Sequence, residues 1–278
     1  MSKQAPYQKK LLFVGGGNMA YAFAAGLVKN NAVSAELISV CDIDPEKLHK
    51  FASLGINVGT EINTLCTDAE IIFIAVKPGA VSLVMRSLAA VDGLLDRAVI
   101  VSFAAAVGID FITRSTGRSA RIIRTMPSTP VLVGEGVIAV TCNELVSKKE
   151  FEGVCRMLST VAYVVNVDEA QMNSIISVHG SSPAYVFLFI KAMLEGAEKQ
   201  GIPVNIALPL ILRTIKGSVT MIEKSDESVE QLINNVASPG GTTRASLDIF
   251  EERKFCDIIS EAMDACTSRA DEISDSLT

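Results

Sequence analysis

"LLFVGGGNMAYAFAAGL", residues 11–27, decides the fold. Four apolar residues in a row, Leu11 to Val14, read as a strand buried on both faces, because strands inside a parallel sheet lose the apolar–polar alternation of a half-buried one. Three glycines follow, then a segment whose apolar residues fall at helical spacing. Gly15-x-Gly17-x-x-Ala20 thus lies between a strand and a helix, the context that gives this pattern its meaning. Gly15 permits the tight turn, Gly17 lets a pyrophosphate approach the backbone, and Ala20 allows helix–strand packing. The helix N-terminus adds N–H donors for the anion. A glycine turn without a ligand is the competing reading.

The same grammar continues to about residue 167. "ELISV" (36–40), "EIIFIAV" (70–76), "AVIVS" (98–102) and "ARIIRTM" (120–126) are nearly continuous apolar runs, with room for a helix between successive strands. "GVIAVTC" (136–142) and "VAYVVNV" (161–167) flank a helix around 147–159 and extend the sheet. Beyond residue 168 the pattern becomes helical. "SPAYVFLFIKAMLEGAEKQG" (182–201) opens with Ser182 as a cap and Pro183 at the first helical position, and stops at Gly201. It is apolar on most faces, which predicts burial against another subunit as well as its own chain. The expected architecture is α/β: an N-terminal Rossmann-type doubly wound sheet (1–167) and an all-helical C-terminal dimerisation domain (168–278).

Composition narrows the partners. The 278 residues carry a net charge of −6, against the basic excess of a nucleic-acid surface, and Trp is absent with aromatics at 5%, which disfavours base-stacking platforms. Six cysteines without a C-x-x-C pair and two histidines spell out no zinc site, and scattered cysteines fit a reducing cytosol. The basic start "MSKQAPYQKK" leads into a strand rather than a signal-peptide core, and apolar stretches such as "AVIVSFAAAVGI" fall short of the roughly 20 residues of a membrane span. A cytoplasmic protein without a membrane or nucleic-acid partner is expected.

In open α/β sheets, ligands collect at the carboxyl ends of the strands. "VCDIDPEKL" (40–48) places Asp42 at the end of the second strand, with Asp44 before Pro45 as a helix cap. A carboxylate there binds ribose hydroxyls and repels a 2′-phosphate, which leans towards NADH; a solvated loop acid is the other reading. No Arg lies nearby, although Lys47 and Lys50 do. "AVKPG" (75–79) makes Lys77 and the backbone of Ala75 to Pro78 candidates to line a dinucleotide. The small residues of "SFAAAV" (102–107) and "TMPSTP" (125–130) would let a flat nicotinamide lie against backbone.

A second turn stands in the helical half. "ASPGGTTRAS" (237–246) separates two helical patterns and contains no acid, histidine or cysteine. Pro239 stiffens it, while Gly240 and Gly241 remove Cβ atoms that would keep a ligand from the backbone. The N–H groups of the helix that follows attract a carboxylate without any Arg.

"FVGGGNMA", "IIFIAVKPG", "RIIRTMPSTP", "HGSSPAYVF" and "NVASPGGTTRASL" occur in this order, and along essentially its whole length the chain resembles the pyrroline-5-carboxylate reductase family. The resemblance implies reduction of a cyclic imino acid, 1-pyrroline-5-carboxylate, to proline with NADPH or NADH. It also implies a homodimer assembling into a larger homo-oligomer, with the active site at the domain and subunit junction. Gly15, Gly17, Asn18 and Met19 would then hold the pyrophosphate. Ala75, Lys77, Pro78, Ala104 and Ala105 would frame the ribose and nicotinamide. Ser238, Gly240, Gly241, Thr242 and Thr243 would bind substrate, with Thr243 at the ring nitrogen.

The chain departs from the family pattern at four places. Ser128 replaces the Asn of "MPNTP", His179 a small Ser, and Ala106 the Gly of "AAGV". Asp42 stands against the family's usual NADPH. His179, Glu195, Arg121 and Arg124 are read as structural or solvated. Two rivals remain: another Rossmann reductase, such as an imine reductase or a β-hydroxyacid dehydrogenase with Lys191 as the candidate lysine, and a non-enzymatic dinucleotide-binding module.

Overall fold

The computed structural model describes residues 7–277; Met1–Pro6, the start of the basic N-terminal segment, lie outside the described residues. Eight strands form one sheet: β1 (Leu11–Val14), β2 (Ile38–Cys41), β3 (Asn57–Gly59), β4 (Ile71–Ile74), β5 (Val99–Ser102), β6 (Arg121–Pro127), β7 (Gly136–Cys142) and β8 (Ala162–Asn166). Their order is β3-β2-β1-β4-β5-β6-β7-β8, and every neighbouring pair is parallel except β6–β7. Six strands ordered 3-2-1-4-5-6 make the doubly wound arrangement, whose crevice lies beside the end of β1, between β1 and β4.

Continuous apolar runs fill both faces of the central strands. Alternate residues divide between two cores: Leu11, Phe13, Phe73 and Val101 on one face, Leu12, Val14, Ile72 and Ile100 on the other. Phe13 and Phe73 lie on neighbouring strands and stack with ring centres 4.4 Å apart. The covering helices are α1 (Asn18–Lys29), α4 (Val81–Ala89), α6 (Ile109–Thr116) and α7 (Lys148–Leu158), with single turns α2 (His49–Ala52), α3 (Ile62–Leu65) and α5 (Leu94–Arg97). Ala20 is fully buried in α1, as helix–strand packing requires. Asp44 caps the turn at Pro45–Leu48 by accepting from the Glu46 N–H at 3.1 Å.

Local chemistry shifted some boundaries. "ELISV" enters the sheet only at Ile38, because Ala35–Leu37 form a 3₁₀ turn. β7 reverses direction through a 3₁₀ turn at Thr129–Val133 that ends on Gly134 (φ 80°). Gly136 closes that reversal: a Cβ there would stand 2.6 Å from Val131. Ser182 is not a cap. It is the first residue of α8 (Ser182–Lys199), which follows a π-helical turn at Ile176–Gly180, so no break precedes it.

By contacts the chain forms two compact units, the first holding residues up to Ser181 together with those from Ala265 onward, the second Ser182–Asp264. The division falls later than the change in sequence pattern at residue 168. Residues 168–181 stay with the sheet because buried Arg124 binds Glu169 (2.8 Å) and Asn173 (2.6 Å). The second unit contains α8, α9 (Val204–Lys224), α10 (Val229–Val236), α11 (Thr242–Glu252) and the start of α12 (Phe255–Leu277). No residue of α8 is buried, and Phe187 and Leu188 are 66% and 65% exposed. No helix among the described residues is long and apolar enough to cross a membrane.

Candidate active site

The turn after β1 can be built atom by atom. Gly15 has φ 106°, and a Cβ on it would lie 2.5 Å from the Ala75 carbonyl oxygen. Its N–H donates to the Cys41 carbonyl (2.7 Å) and the Ala75 N–H donates to Val14 (2.8 Å), so the turn ties the ends of β2, β1 and β4 together. Gly17 differs. It has φ −67°, caps α1 without a side-chain partner, and a Cβ there would meet no atom within 4 Å. Nothing in the chain itself needs a glycine at 17. An open surface beneath the uncapped first turn of α1, flanked by exposed Asn18 and half-buried Met19, fits a pyrophosphate.

Asp42 stands at the end of β2, where the sequence puts it. Its Oδ2 accepts the Gly16 N–H at 2.6 Å and its Oδ1 the Asp44 N–H at 2.9 Å, with Lys47 Nζ 3.5 Å away. Burial pushes this carboxyl up, but the N–H groups of Asp44 and Gly16 and the Lys47 ammonium outweigh it and hold it below the usual range. Beside it, burial and the Asp42 charge push the Cys41 thiol up to about 11, so it remains protonated. Sequence reasoning missed Gly16 as the partner that fixes Asp42; the middle glycine of the triplet was its signal.

The remaining cofactor candidates lie at the ends of β4 and β5. Ala75 is half-buried against Gly15, Lys77 is exposed, and Pro78 opens a 3₁₀ turn. Ala104 is buried, its N–H directed at Ser102 Oγ (3.3 Å), and Ala105 is partly open. Ala106 carries φ 59°, the conformation that suits the glycine usual there. The Ser274 hydroxyl holds its carbonyl at 2.7 Å, while Glu169 accepts the Ile109 N–H at 3.1 Å. Arg124 is therefore structural, as read, and so is Arg121, paired with Glu150. Ser128 is buried and ties β6 to β7 through the Val137 N–H (2.9 Å). His179 places Nε2 2.7 Å from the Met126 carbonyl and Nδ1 3.0 Å from Ile175, bracing the π turn against the end of β6.

Within the second unit, α10 ends at Val236 and α11 starts at Thr242. Gly240 has φ 71°, and a Cβ on Gly241 would meet Ser238 Oγ at 2.7 Å, so both glycines are required by the turn itself. Gly241, not Thr243, occupies the N-cap, and no side chain caps the helix. Among the described residues, no hydrogen bond engages the hydroxyls of Ser238 or Thr243. The Gly241 N–H closes the turn on the Ser238 carbonyl (3.0 Å), which leaves free hydroxyls and the first N–H groups of α11 without a fixed charge, and Arg244 is spent on Asp248 (2.7 Å) and Glu251 (2.5 Å). No cluster of three or more His, Cys, Asp or Glu gathers for a metal among the described residues.

Sheet order, an open anion surface at Gly17 and a carboxylate closing the end of β2 define a nicotinamide-dinucleotide oxidoreductase of the doubly wound class. Comparison with known proteins divides the chain accordingly. Residues 10–106 match the family model "NADP oxidoreductase coenzyme F420-dependent", and residues 169–273 match "Pyrroline-5-carboxylate reductase dimerisation". The chain is 34% identical to pyrroline-5-carboxylate reductase of Escherichia coli over 97% of this chain and 100% of that one. It is 35% identical to the Haemophilus influenzae enzyme, over 95% and 97%. The Plasmodium falciparum pyrroline carboxylate reductase structure, with NADP bound, superposes with a TM-score of 0.88 at 28% identity, covering 96% and 98%. The chain belongs to the pyrroline-5-carboxylate reductase family.

Proposed function

We propose that this protein reduces the C=N bond of 1-pyrroline-5-carboxylate to give L-proline, the last step of proline biosynthesis. The observation that carries the reading is the turn Ser238–Thr243, an anion-accepting site with free hydroxyls and no charge of its own, in a chain of this family. The turn argues against a dinucleotide-binding module without chemistry. Lys191 pairs with Glu195 at 3.5 Å on an exposed helix face, which argues against a β-hydroxyacid dehydrogenase.

When bound, the dihydronicotinamide supplies the hydride that the imine carbon receives. In the reading we favour, Gly15, Gly17, Asn18 and Met19 seat the pyrophosphate, Asp42 faces the adenosine ribose, and Ala75, Lys77, Pro78, Ala104 and Ala105 frame the nicotinamide half. Ser238 and the N–H groups of Gly240 and Thr242 take the substrate carboxylate, while Gly241 shapes the turn between them through its own bond to the Ser238 carbonyl. Thr243 Oγ1 orients the ring nitrogen. A protonated imine is already electrophilic, so the site needs no strong acid. The nitrogen brings its proton from solution and keeps it as the amine of the product.

Residues 1–167 serve the cofactor in this scheme and 168–278 the substrate and dimer. The exposed apolar residues of α8 to α11, among them Phe187, Leu210, Val236 and Ile249, suit a homodimer interface. We extend that to dimers assembled into a larger homo-oligomer. The six free cysteines suit a reducing compartment, which supports a cytoplasmic protein. Parallel assays of NADH and NADPH absorbance with the imine as substrate test the reading. Turnover with at least one cofactor is expected; oxidation of neither, with the imine present and the dinucleotide bound, overturns it.

A further inference from the structure

We infer that Asp42 makes this chain selective for NADH over NADPH, by holding a fixed negative charge where a 2′-phosphate would have to lie. The inference rests on the reading that the Gly15–Gly17 turn seats a dinucleotide.

The carboxylate cannot swing away. Its side chain is only 9% exposed and both oxygens are engaged, one by the Gly16 N–H at 2.6 Å and the other by the Asp44 N–H at 2.9 Å. A Cβ on Gly16 would come within 3.3 Å of the Asp42 Cβ, so the turn and the acid are packed directly together. A carboxylate oxygen has two lone pairs, and one N–H on each leaves capacity to accept a ribose hydroxyl. An adenosine whose pyrophosphate sits on Gly17 therefore brings its 2′-position to a preformed acceptor. Ile43, 92% exposed beside it, offers an apolar surface for the adenine.

A 2′-phosphate finds no counter-charge here. Its accommodation in this class of fold calls for an Arg nearby, and the first arginine of the chain is Arg86, well beyond the β2 segment. Lys47 is the nearest cation, but it is shared between Asp42 (3.5 Å) and Asp44 (3.7 Å), two acids for one ammonium. Lys50 lies over aromatic rings, its Nζ 4.9 Å from the centre of Tyr21 and 5.4 Å from that of Phe51, and what charge it brings is already drawn to Asp42. His49 faces Glu46 at 3.8 Å. Asp42, Asp44 and Glu46 stand against Lys47 and Lys50, so the local balance is negative. A phosphate of nearly two negative charges would meet it at short range, where Coulomb repulsion is strong.

The test measures binding apart from turnover. Fluorescence titration of the wild-type protein with NADH and NADPH, without imine, should give a Kd for NADH lower by roughly tenfold or more. Equal affinities, or tighter NADPH, overturn the inference. Asp42→Ser should narrow the ratio by weakening NADH and strengthening NADPH; an unchanged ratio in a variant that melts like the wild type also overturns it. If Asp42→Ser does not fold, Lys47→Ala replaces it and should widen the ratio, and no widening counts against the inference. Turnover of the imine with either cofactor is scored separately. Absence of all turnover refutes the reductase reading and leaves the binding ratio to decide this one.

Discussion

Replacing Gly17 with Ala separates what the glycine turn does for the ligand from what it does for the fold. The backbone at 17 has φ −67° and a new Cβ meets no atom within 4 Å, so the folded protein accepts the methyl without strain. Alanine is a poorer N-cap than glycine, a cost of about 1 kcal/mol or less. At roughly 2–4 °C per kcal/mol for a chain of this size, the melting temperature should fall by a few degrees at most. Binding is another matter. If a pyrophosphate rests on this surface, the methyl stands in its path, and about 1–3 kcal/mol of overpacking becomes a roughly five- to hundredfold rise in Kd. Gly15→Ala is the contrasting case. It forces φ 106° on an L-residue, about 1–3 kcal/mol, and drives a methyl to 2.5 Å from the Ala75 carbonyl oxygen, about 1–3 kcal/mol more. That variant should lose stability and binding together. Thermal unfolding paired with NADH fluorescence titration measures both quantities. A Gly17→Ala protein that binds the dinucleotide as tightly as wild type would falsify the placement of the pyrophosphate.

Three further outcomes are expected. Thr243→Ala should lower kcat/KM for the imine by roughly ten- to a hundredfold, the loss of one orienting hydrogen bond to a charged group, with the NADH Kd unchanged and Thr243→Ser largely active; full activity in Thr243→Ala removes its assigned role. Glu150 is held below the usual carboxylate range, since burial raises it but the Ser147 hydroxyl and N–H and the Arg121 charge more than reverse that. A depressed carboxyl stabilises the fold above its unfolded value of about 4.3 and loses that contribution as pH falls through the folded one, so Glu150→Gln should be destabilised at pH 7 and converge on wild type in acid; a pH-independent difference in urea unfolding contradicts this. Phe187→Glu with Leu188→Glu should shift light-scattering mass towards the monomer while leaving helical circular dichroism intact, and an unchanged mass would exclude that face of α8 from the interface.

The parts of the fold that could be read from sequence are those where burial is total. β1, β4 and β5 are buried on both faces, and the continuous runs at 11–14, 71–74 and 99–102 announce them directly. β3 escaped notice because Asn57–Gly59 is a three-residue edge strand, two of its residues exposed, with no apolar signature to betray it. Ser182 misled for a related reason: Ser-Pro has the chemistry of a helix start, but a π turn stabilised by the Ser181 N–H on the Ile176 carbonyl (2.8 Å) carries the helix through it. In the candidate site, the places of Gly15, Gly17 and Asp42 were legible because they depend on backbone freedom and position along a strand. Two things were not: that the Asp42 carboxylate is clamped by Gly16, and that Ala106 is held by Ser274. Those depend on distances between segments far apart in the chain, which no local pattern encodes.

The hydrogen bond from Ser274 to Ala106 has a consequence for how the protein is made. Asp271 also receives the Asn173 amide at 2.8 Å, and Ala270 packs with Ala106 and Ile176. The unit that holds the sheet is thus completed by residues from Ala265 onward, with the whole of Ser182–Asp264 synthesised in between. A nascent chain stopped anywhere before Ala270 has a sheet but an unsupported left-handed alanine in the loop after β5. During synthesis, then, the sheet cannot reach its final form and wait for the helices that follow; the loop after β5 is held only once Ser274 has been made.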